Sequence, residues 1–351
     1  MSGDATVSEN RHIATLVAGC LMMGSMGIFA NLIEQTHAAN VVFMRFFFCV
    51  VSLPLIALVT YPLFPRATRA KLAETLAFIR GFPRLWFMVG ASMGLAIALY
   101  TLGSVLLSVG LSVILLYTAS IWFPLADRIA CRYLFPELKP THFREAYYLS
   151  VLLNLSGLVI IIMGTTRLPD FGSQRSVIGL ICAVSAGIAF AITMVLTRVM
   201  KANGVKTDQV IVPSSVIGSL MMLPALFLLP FSLSPSNIGY ALGMGFVATA
   251  LGGLVYFKGF GSVRPALAPV LAYFEPIFGF TLAILILSEA FTPLLLAGMG
   301  LILFTNVGYT LLDIHRSRQL LAGLASGESD MAIARPVQDP HESDSRSYPD
   351  S

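Results

Sequence analysis

Charge is scarce in this chain. Of its 351 residues only 11% are Asp, Glu, Lys or Arg, and 56% are hydrophobic; soluble domains carry about 25% charged residues. With a mean hydropathy of +0.82, the composition excludes a water-soluble fold. Cysteine is sparse too. Cys20, Cys49, Cys131 and Cys182 form no CxxC pair and show no metal-ligand spacing, which excludes a disulfide framework and a zinc site. The histidines are His12, His37, His142, His315 and His341. None stands with a second histidine or an acid at metal or catalytic spacing within an apolar segment. A GxxxxGK[ST] run is missing, so ATP hydrolysis by a P-loop is excluded. Neither a metal nor a cofactor is expected.

What the chain does have is a series of apolar runs of roughly 17 to 24 residues, the length with which a helix crosses a hydrocarbon core about 30 Å thick. The runs are continuous and do not alternate, which excludes a barrel as the other way of satisfying backbone groups in lipid. The fold class is therefore an all-α polytopic membrane protein. Ten transmembrane helices are predicted near 12–33, 38–60, 84–106, 108–127, 147–164, 176–197, 208–230, 238–259, 265–288 and 291–312. The polar N-terminus, 1–11, enters the first span without a small-residue cleavage site, so that span is expected to be an uncleaved anchor. Within the long basic loop 61–83, PRATRAKLAETLAFIR (65–80) reads as a helix lying on the cytoplasmic membrane surface. From 313 to 351 the chain turns polar and is expected to be a disordered cytoplasmic tail.

Placing the charges orients the spans. With the amino terminus inside, nineteen of the 22 Lys and Arg fall on the cytoplasmic side: Arg11, Arg66, Arg69, Lys71, Arg80, Arg84, Arg128, Arg132, Lys139, Arg144, Arg198, Lys201, Lys206, Lys258, Arg264 and four in the tail. Arg167 and Arg175 lie outside, and Arg45 lies within a span. By the positive-inside rule both termini are cytoplasmic. The net charge of +4 is thus topogenic, and no nucleic-acid partner is implied. A multi-pass protein of the cell membrane, of the bacterial inner-membrane kind, is expected; its partners are the lipid bilayer and a small-molecule substrate, and a homodimer is compatible with the pattern.

Sliding the chain on itself by 156 positions aligns 88–121 with 244–277. Met88 meets Met244, Tyr100 meets Tyr256, Gly103 meets Gly259 and Tyr117 meets Tyr273. The shift maps spans three and four onto spans eight and nine, so each unit has five helices, 12–164 and 165–312. An odd number makes the second unit cross in the opposite direction. Two five-helix inverted repeats of this kind place a substrate site near the midplane, between the repeats, in many secondary transporters.

The residues also resemble a known family. LAPVLAYFEPIFGFTLAILILSEAFTPLLLAGMGLILF is similar to the ninth and tenth spans of the EamA-domain branch of the drug/metabolite transporter superfamily, with Glu275-Pro276, Glu289 before Thr292-Pro293, and Gly298 with Gly300. AFAITMVLTR (189–198) resembles the sixth span and FMRFFF (43–48) the second. The resemblance covers about residues 12 to 312 and implies two EamA units that export or exchange small metabolites. The first half departs from the pattern: Met23-Gly24 stands where the family has Trp-Gly, and Ala119 and Ser120 stand where the second half has Glu275-Pro276.

Five kinds of residue are candidates for chemistry: Glu, Arg, Tyr, Trp and Pro. Glu275 lies about 15 Å into the core by helix rise, and a charge there costs at least about 2.5 kcal/mol. It is expected to line a substrate or proton pathway, or else to be a structural carboxylate bonded to neighbouring helices. Pro276 removes a helical donor and clashes with the carbonyl of Ala272; with Pro269 it is expected to break the helix and expose carbonyls. Pro265 is expected at the helix start. Arg45, about 10 Å from the outer end of span two, could receive a substrate carboxylate, neutralise Glu275 or snorkel outward. Tyr100, Tyr117, Tyr256, Tyr273 and Trp122 could cage a cation or pack. Asp127, Lys258 and Glu289 read as solvated span ends. The small-residue stretches 19–27 and 244–253 read as close helix contacts.

The leading functional expectation is a secondary transporter for a small polar metabolite, an amino acid or related solute, working by efflux or exchange. The alternatives are a membrane-embedded transferase, which lacks the needed His and acid cluster, and a non-transporting scaffold or sensor, which would not need a midplane carboxylate.

Overall fold

The computed structural model describes residues 2–138, 145–165, 173–263 and 267–333. Ten helices are long and apolar enough to cross a membrane: Asn10–Asn31, Ala38–Thr60, Pro83–Leu106, Val109–Tyr133, Tyr147–Gly164, Gln174–Ala202, Thr207–Leu228, Pro235–Ser262, Val270–Leu287 and Pro293–Leu312. All ten expected spans are thus present. The fourth runs six residues beyond the end expected at 127. Pro265 and most of the loop after the fifth span lie outside the described residues.

Several spans are built from two pieces. The first consists of α1 (Ser2–Gly24) and α2 (Met26–Asn31), and the second is α3 (Ala38–Thr60). Helix α4 (Pro65–Gly81) occupies the long loop, and α5 (Pro83–Leu106) is the third span. The fourth divides into α6 (Val109–Leu116) and α7 (Ala119–Tyr133); α8 (Glu145–Thr165) and α9 (Gln174–Ala202) follow. A 3-10 turn, Thr207–Val210, opens into α10 (Ile211–Leu228). The eighth span joins α11 (Pro235–Leu242) to α12 (Gly252–Ser262) through a π-helical stretch, Gly243–Leu251. The ninth divides into α13 (Ala268–Ala272) and α14 (Phe274–Leu287), and α15 (Pro293–Ile333) is the tenth. Serine caps start three of these helices: Ser108, Ser173 and Ser234 accept from Leu111, Ser176 and Asn237 backbone N–H groups, which satisfies donors that a helix start leaves open.

The packing is compatible with an inverted repeat. Helix α5 packs on α9 as α12 packs on α1, α10 packs on α5 as α3 packs on the π-helical stretch, and α7 packs on α9 as α14 packs on α1. Exchanging the two halves of the chain turns each contact into its counterpart. The repeat-related glycines do the same job. A Cβ on Gly103 would lie 3.1 Å from Ala183 Cβ on α9, and one on Gly259 would lie 2.5 Å from the Leu16 amide nitrogen on α1. Both sites need a hydrogen where the neighbouring helix passes.

The chain divides into two units, Met1–Tyr309 and Thr310–Ser351. The tail does not begin as a coil. Helix α15 continues to Ile333, which corrects the expectation of disorder from residue 313. The stretch RSRQLLAGLASGESD (316–330) contains Leu, Ala, Arg and Gln, all good helix formers. Residues 334–351 lie outside the described residues.

The basic loop is helical as expected, and side chains tie it to another part of the chain. Helix α4 is fastened to the 3-10 turn after the sixth span. Lys71 pairs with Asp208, Lys206 pairs with Glu74 at 2.5 Å, and Thr75 Oγ1 donates to Gln209 Oε1 at 2.8 Å. The hydrogen bond it donates to Glu74 holds the exposed Lys206 ammonium above its ordinary pKa, though an exposed pair of this kind adds little stability.

Candidate functional site

The break in the ninth span falls at Tyr273, between α13 and α14, and places Glu275 second and Pro276 third in a new helix. A proline in the first turn costs no hydrogen bond. The carbonyls behind it do lose their helical donors, and side chains take them over. Tyr117 Oη lies 3.3 Å from the Ala272 carbonyl, and the Cys20 thiol donates to the Leu271 carbonyl at 3.6 Å. Pro269 is a correction: it lies in the first turn of α13, where it begins a helix and breaks none. One proline, not two, marks the interruption.

Glu275 is 7% exposed, at the positive end of the α14 dipole, and its Oε2 lies 3.1 Å from Tyr117 Oη. A phenol has one proton to donate, and two acceptors compete for it. With Glu275 ionised, Tyr117 donates to the carboxylate. With Glu275 protonated, the acid can donate to Tyr117, whose own proton then turns to Ala272. The protonation state of Glu275 thus sets which group holds the exposed end of α13. Small residues let α1 reach this point: a Cβ on Gly24 would lie 2.9 Å from the Glu275 carbonyl oxygen and 3.0 Å from the Gly279 nitrogen. The glycine of the departed Trp-Gly pattern therefore keeps a packing role.

The first five-helix half breaks at Tyr117, the residue that a 156-position shift aligns with Tyr273, without a proline there. Tyr117 and Tyr273 end α6 and α13 with nearly the same backbone angles, φ −74°, ψ −3° and φ −69°, ψ −6°. Their rings meet with centroids 5.4 Å apart. Side chains again replace the lost helical donors: Asn306 Nδ2 donates to the Tyr117 carbonyl at 3.3 Å, and Thr118 Oγ1 donates to the Leu115 carbonyl at 2.7 Å. Ser120, in the place of Pro276, donates to Asn306 Oδ1 at 2.7 Å.

Arg45 is 5% exposed, so it does not snorkel. Its Nε donates to Thr249 Oγ1 at 3.0 Å and its Nη1 to Thr101 Oγ1 at 2.8 Å. Both hydroxyl protons are already committed, Thr101 to the Ile97 carbonyl and Thr249 to the Met244 carbonyl, each at 2.8 Å. Each threonine therefore presents a lone pair to the guanidinium. Thr249 bonds five residues back, the spacing of the π-helical stretch it occupies, and π turns inside α-helices often mark functional sites. Arg45 lies within coulombic range of Tyr100, Cys49 and Glu275. It is not ion-paired with Glu275: among the described residues the ion pairs are Lys71–Asp208, Arg198–Asp127 and Lys206–Glu74. The remaining donors of the guanidinium have no protein partner among the described residues. A buried cation without an anion is costly, and this one is aimed by two threonines from opposite repeats.

The other aromatic candidates divide. Tyr100 is buried with an unpartnered hydroxyl beside Thr101 on α5. Tyr256 backs onto Gly19, where a Cβ would lie 2.5 Å from its Cα, and its ring stacks on Phe260, a packing role. Trp122 has a buried, unpartnered Nε1 in α7.

Sequence reasoning missed four things. Thr101 and Thr249 gave no signal beyond being polar within a span. Asp127 is no solvated end: it is fully buried and pairs with Arg198 at 2.5 Å, because the fourth span is longer than expected. Glu289 caps α6, accepting from Ser108 Oγ at 2.7 Å, Val109 N at 2.8 Å and Gly110 N at 3.3 Å. Its place beside the helix N-terminus joins the two repeats. Among the described residues no group of three or more His, Cys, Asp and Glu is placed to hold a metal ion.

Comparisons with known proteins agree with this architecture. Residues 177–310 match the EamA-like transporter family, which spans nearly the whole second repeat. The uncharacterized transporter YwfM of Bacillus subtilis (strain 168) is 24% identical over 163 residues, 46% of this chain and 53% of that protein; the match thus spans about half the length of the relative. A protein of known crystal structure superposes with a TM-score of 0.55 at 14% identity, over 86% of this chain and 99% of that one, a likeness of fold alone. The chain thus has ten helices long and apolar enough to cross a membrane, and its residues 177–310 are similar to the EamA-like transporter family.

Proposed function

We propose that the protein is a secondary transporter that carries a small zwitterionic metabolite, an amino acid or close relative, by alternating access. The observation that carries this reading is Arg45: a buried guanidinium, aimed by Thr101 and Thr249, whose remaining donors have no protein partner among the described residues. A bound carboxylate would complete its fork. Glu275 supplies the opposite charge for an ammonium, and helix rise separates the two by only about 5–8 Å along the membrane normal. Tyr117 and Tyr273 line the same break. Glu275 alternates between holding a proton and holding the substrate ammonium, which couples transport to protons in exchange or efflux. Both termini are cytoplasmic in this reading, on nineteen inside charges against two.

The test is thermal stabilisation of the purified protein by matched compounds: amino acids, the corresponding amines, the corresponding carboxylic acids, nucleosides and sugars. An amino acid should raise the Tm, and its amine and acid analogues should each do so far less. Stabilisation by sugars or nucleosides with none by amino acids would overturn the proposal.

A further inference from the structure

Helix α4 has two faces. One carries Lys71, Glu74 and Thr75, which fasten it to the 3-10 turn after the sixth span, and Phe78, which is buried. The other carries Arg69, which bonds to Tyr61 in the turn before the helix, and two exposed leucines. Leu72 is 61% exposed and Leu76 42%, one helical turn apart. Around them stand the exposed Arg66, Arg69 and Arg80, with Arg84 at the start of α5. The single acid between residues 61 and 84 is Glu74, and it is turned away to Lys206. The outward face is therefore apolar at its centre and wholly cationic at its rim.

This face continues the exposed apolar surface at the end of the second candidate span. Leu55, Leu58 and Val59, at the end of α3, are exposed, and so are Leu63 and Phe64 in the turn that leads to α4. Tyr61 stands at the junction as an interfacial aromatic would. The Arg69 guanidinium lies 5.4 Å from its ring centroid and donates to its hydroxyl, which holds that charge at the level where the apolar span ends. The apolar strip thus runs unbroken from a transmembrane surface onto α4, and the positive charges flank it at headgroup depth.

We propose that α4 is a binding site for anionic phospholipid headgroups, with Leu72 and Leu76 dipping into the acyl boundary and Arg66, Arg69 and Arg80 meeting the phosphates. Charge complementarity and continuity with the lipid-facing end of α3 choose a bilayer lipid over a soluble anion or a protein partner. An amphipathic helix with basic residues beside its apolar face binds at the interface by both effects, and each basic residue near an anionic surface contributes about 1 kcal/mol, which is about fivefold in affinity.

The experiment uses the full chain with Leu76→Trp as reporter and with Trp86→Phe and Trp122→Phe removing the other tryptophans. It is reconstituted in brominated phosphatidylglycerol or brominated phosphatidylcholine, each diluted with the unbrominated lipid of the other headgroup. Quenching then gives the relative association constant at the α4 face. The anionic lipid should be favoured about fivefold or more at low salt, less at high salt, and not at all with Arg66→Gln, Arg69→Gln and Arg80→Gln combined. A second reporter, Leu58→Trp on α3, should be quenched nearly equally by both lipids in every variant and verifies insertion. Equal quenching by the two lipids at Leu76→Trp, an unchanged preference in the triple variant, or no quenching by either lipid would each overturn the proposal.

Discussion

Glu275→Gln is expected to abolish flux driven by a pH gradient in proteoliposomes while leaving substrate exchange measurable. Glutamine keeps the size of the side chain and can still meet Tyr117 Oη, now 3.1 Å from Glu275 Oε2, but it cannot hold and release a proton. It also leaves a substrate ammonium facing a neutral amide. Removing one partner of a buried charged pair costs about 3–5 kcal/mol, so exchange should need roughly a hundredfold or more substrate to reach half its maximal rate. Loss of both activities at every concentration would make Glu275 a binding residue alone. If both persisted at wild-type rates in folded protein, the carboxylate would be structural, a helix-break residue held by Tyr117 and the α14 dipole.

Arg45→Lys should insert and fold yet transport poorly. A lysine keeps the charge but not the planar fork. It cannot give one donor to Thr249 and one to Thr101, as the guanidinium does, and still offer a bidentate pair to a carboxylate, as a guanidinium can. Hydrogen bonds to charged groups are worth about 1.5–3 kcal/mol each, so loss of a single such bond to substrate raises the half-saturation concentration about tenfold to more than a hundredfold. Arg45→Gln, which removes the charge as well, should fall to background. The threonines offer a finer control: Thr249→Ser keeps the lone pair and should retain transport, and Thr249→Val should behave like Arg45→Lys. Full activity in the Lys and Gln variants together would take Arg45 off the substrate path.

These expectations rest unequally on sequence. The spans were legible because a helix in lipid must be apolar for its whole length, and the Glu275-Pro276 pair was legible because both residues are expensive in that setting. The position of the break was only half legible. Proline announced it near residue 276, but Pro269 does not contribute, and the equivalent break at Tyr117 has no proline at all. There the signal is Asn306, some 190 residues away in the chain, whose amide takes over the Tyr117 carbonyl. The aim of Arg45 was not legible either. It depends on a π-helical stretch that shifts Thr249 by one residue of helix register, and no periodicity of apolar residues distinguishes that stretch from an α-helix. Asp127 and Glu289 failed for a third reason. A charge near an expected span end reads as solvated until its partner on another helix is known.

The central claim is that one site serves both proton and substrate. Its most direct measurement is proton release on binding, recorded with a pH indicator in weakly buffered detergent solution, using the amino acid that stabilises the purified protein most. Saturating the wild-type protein should release about one proton per bound molecule, and Glu275→Gln, saturated at the higher concentration it needs, should release none. Full binding to the wild-type protein without proton release, or the same release from Glu275→Gln, would contradict the account.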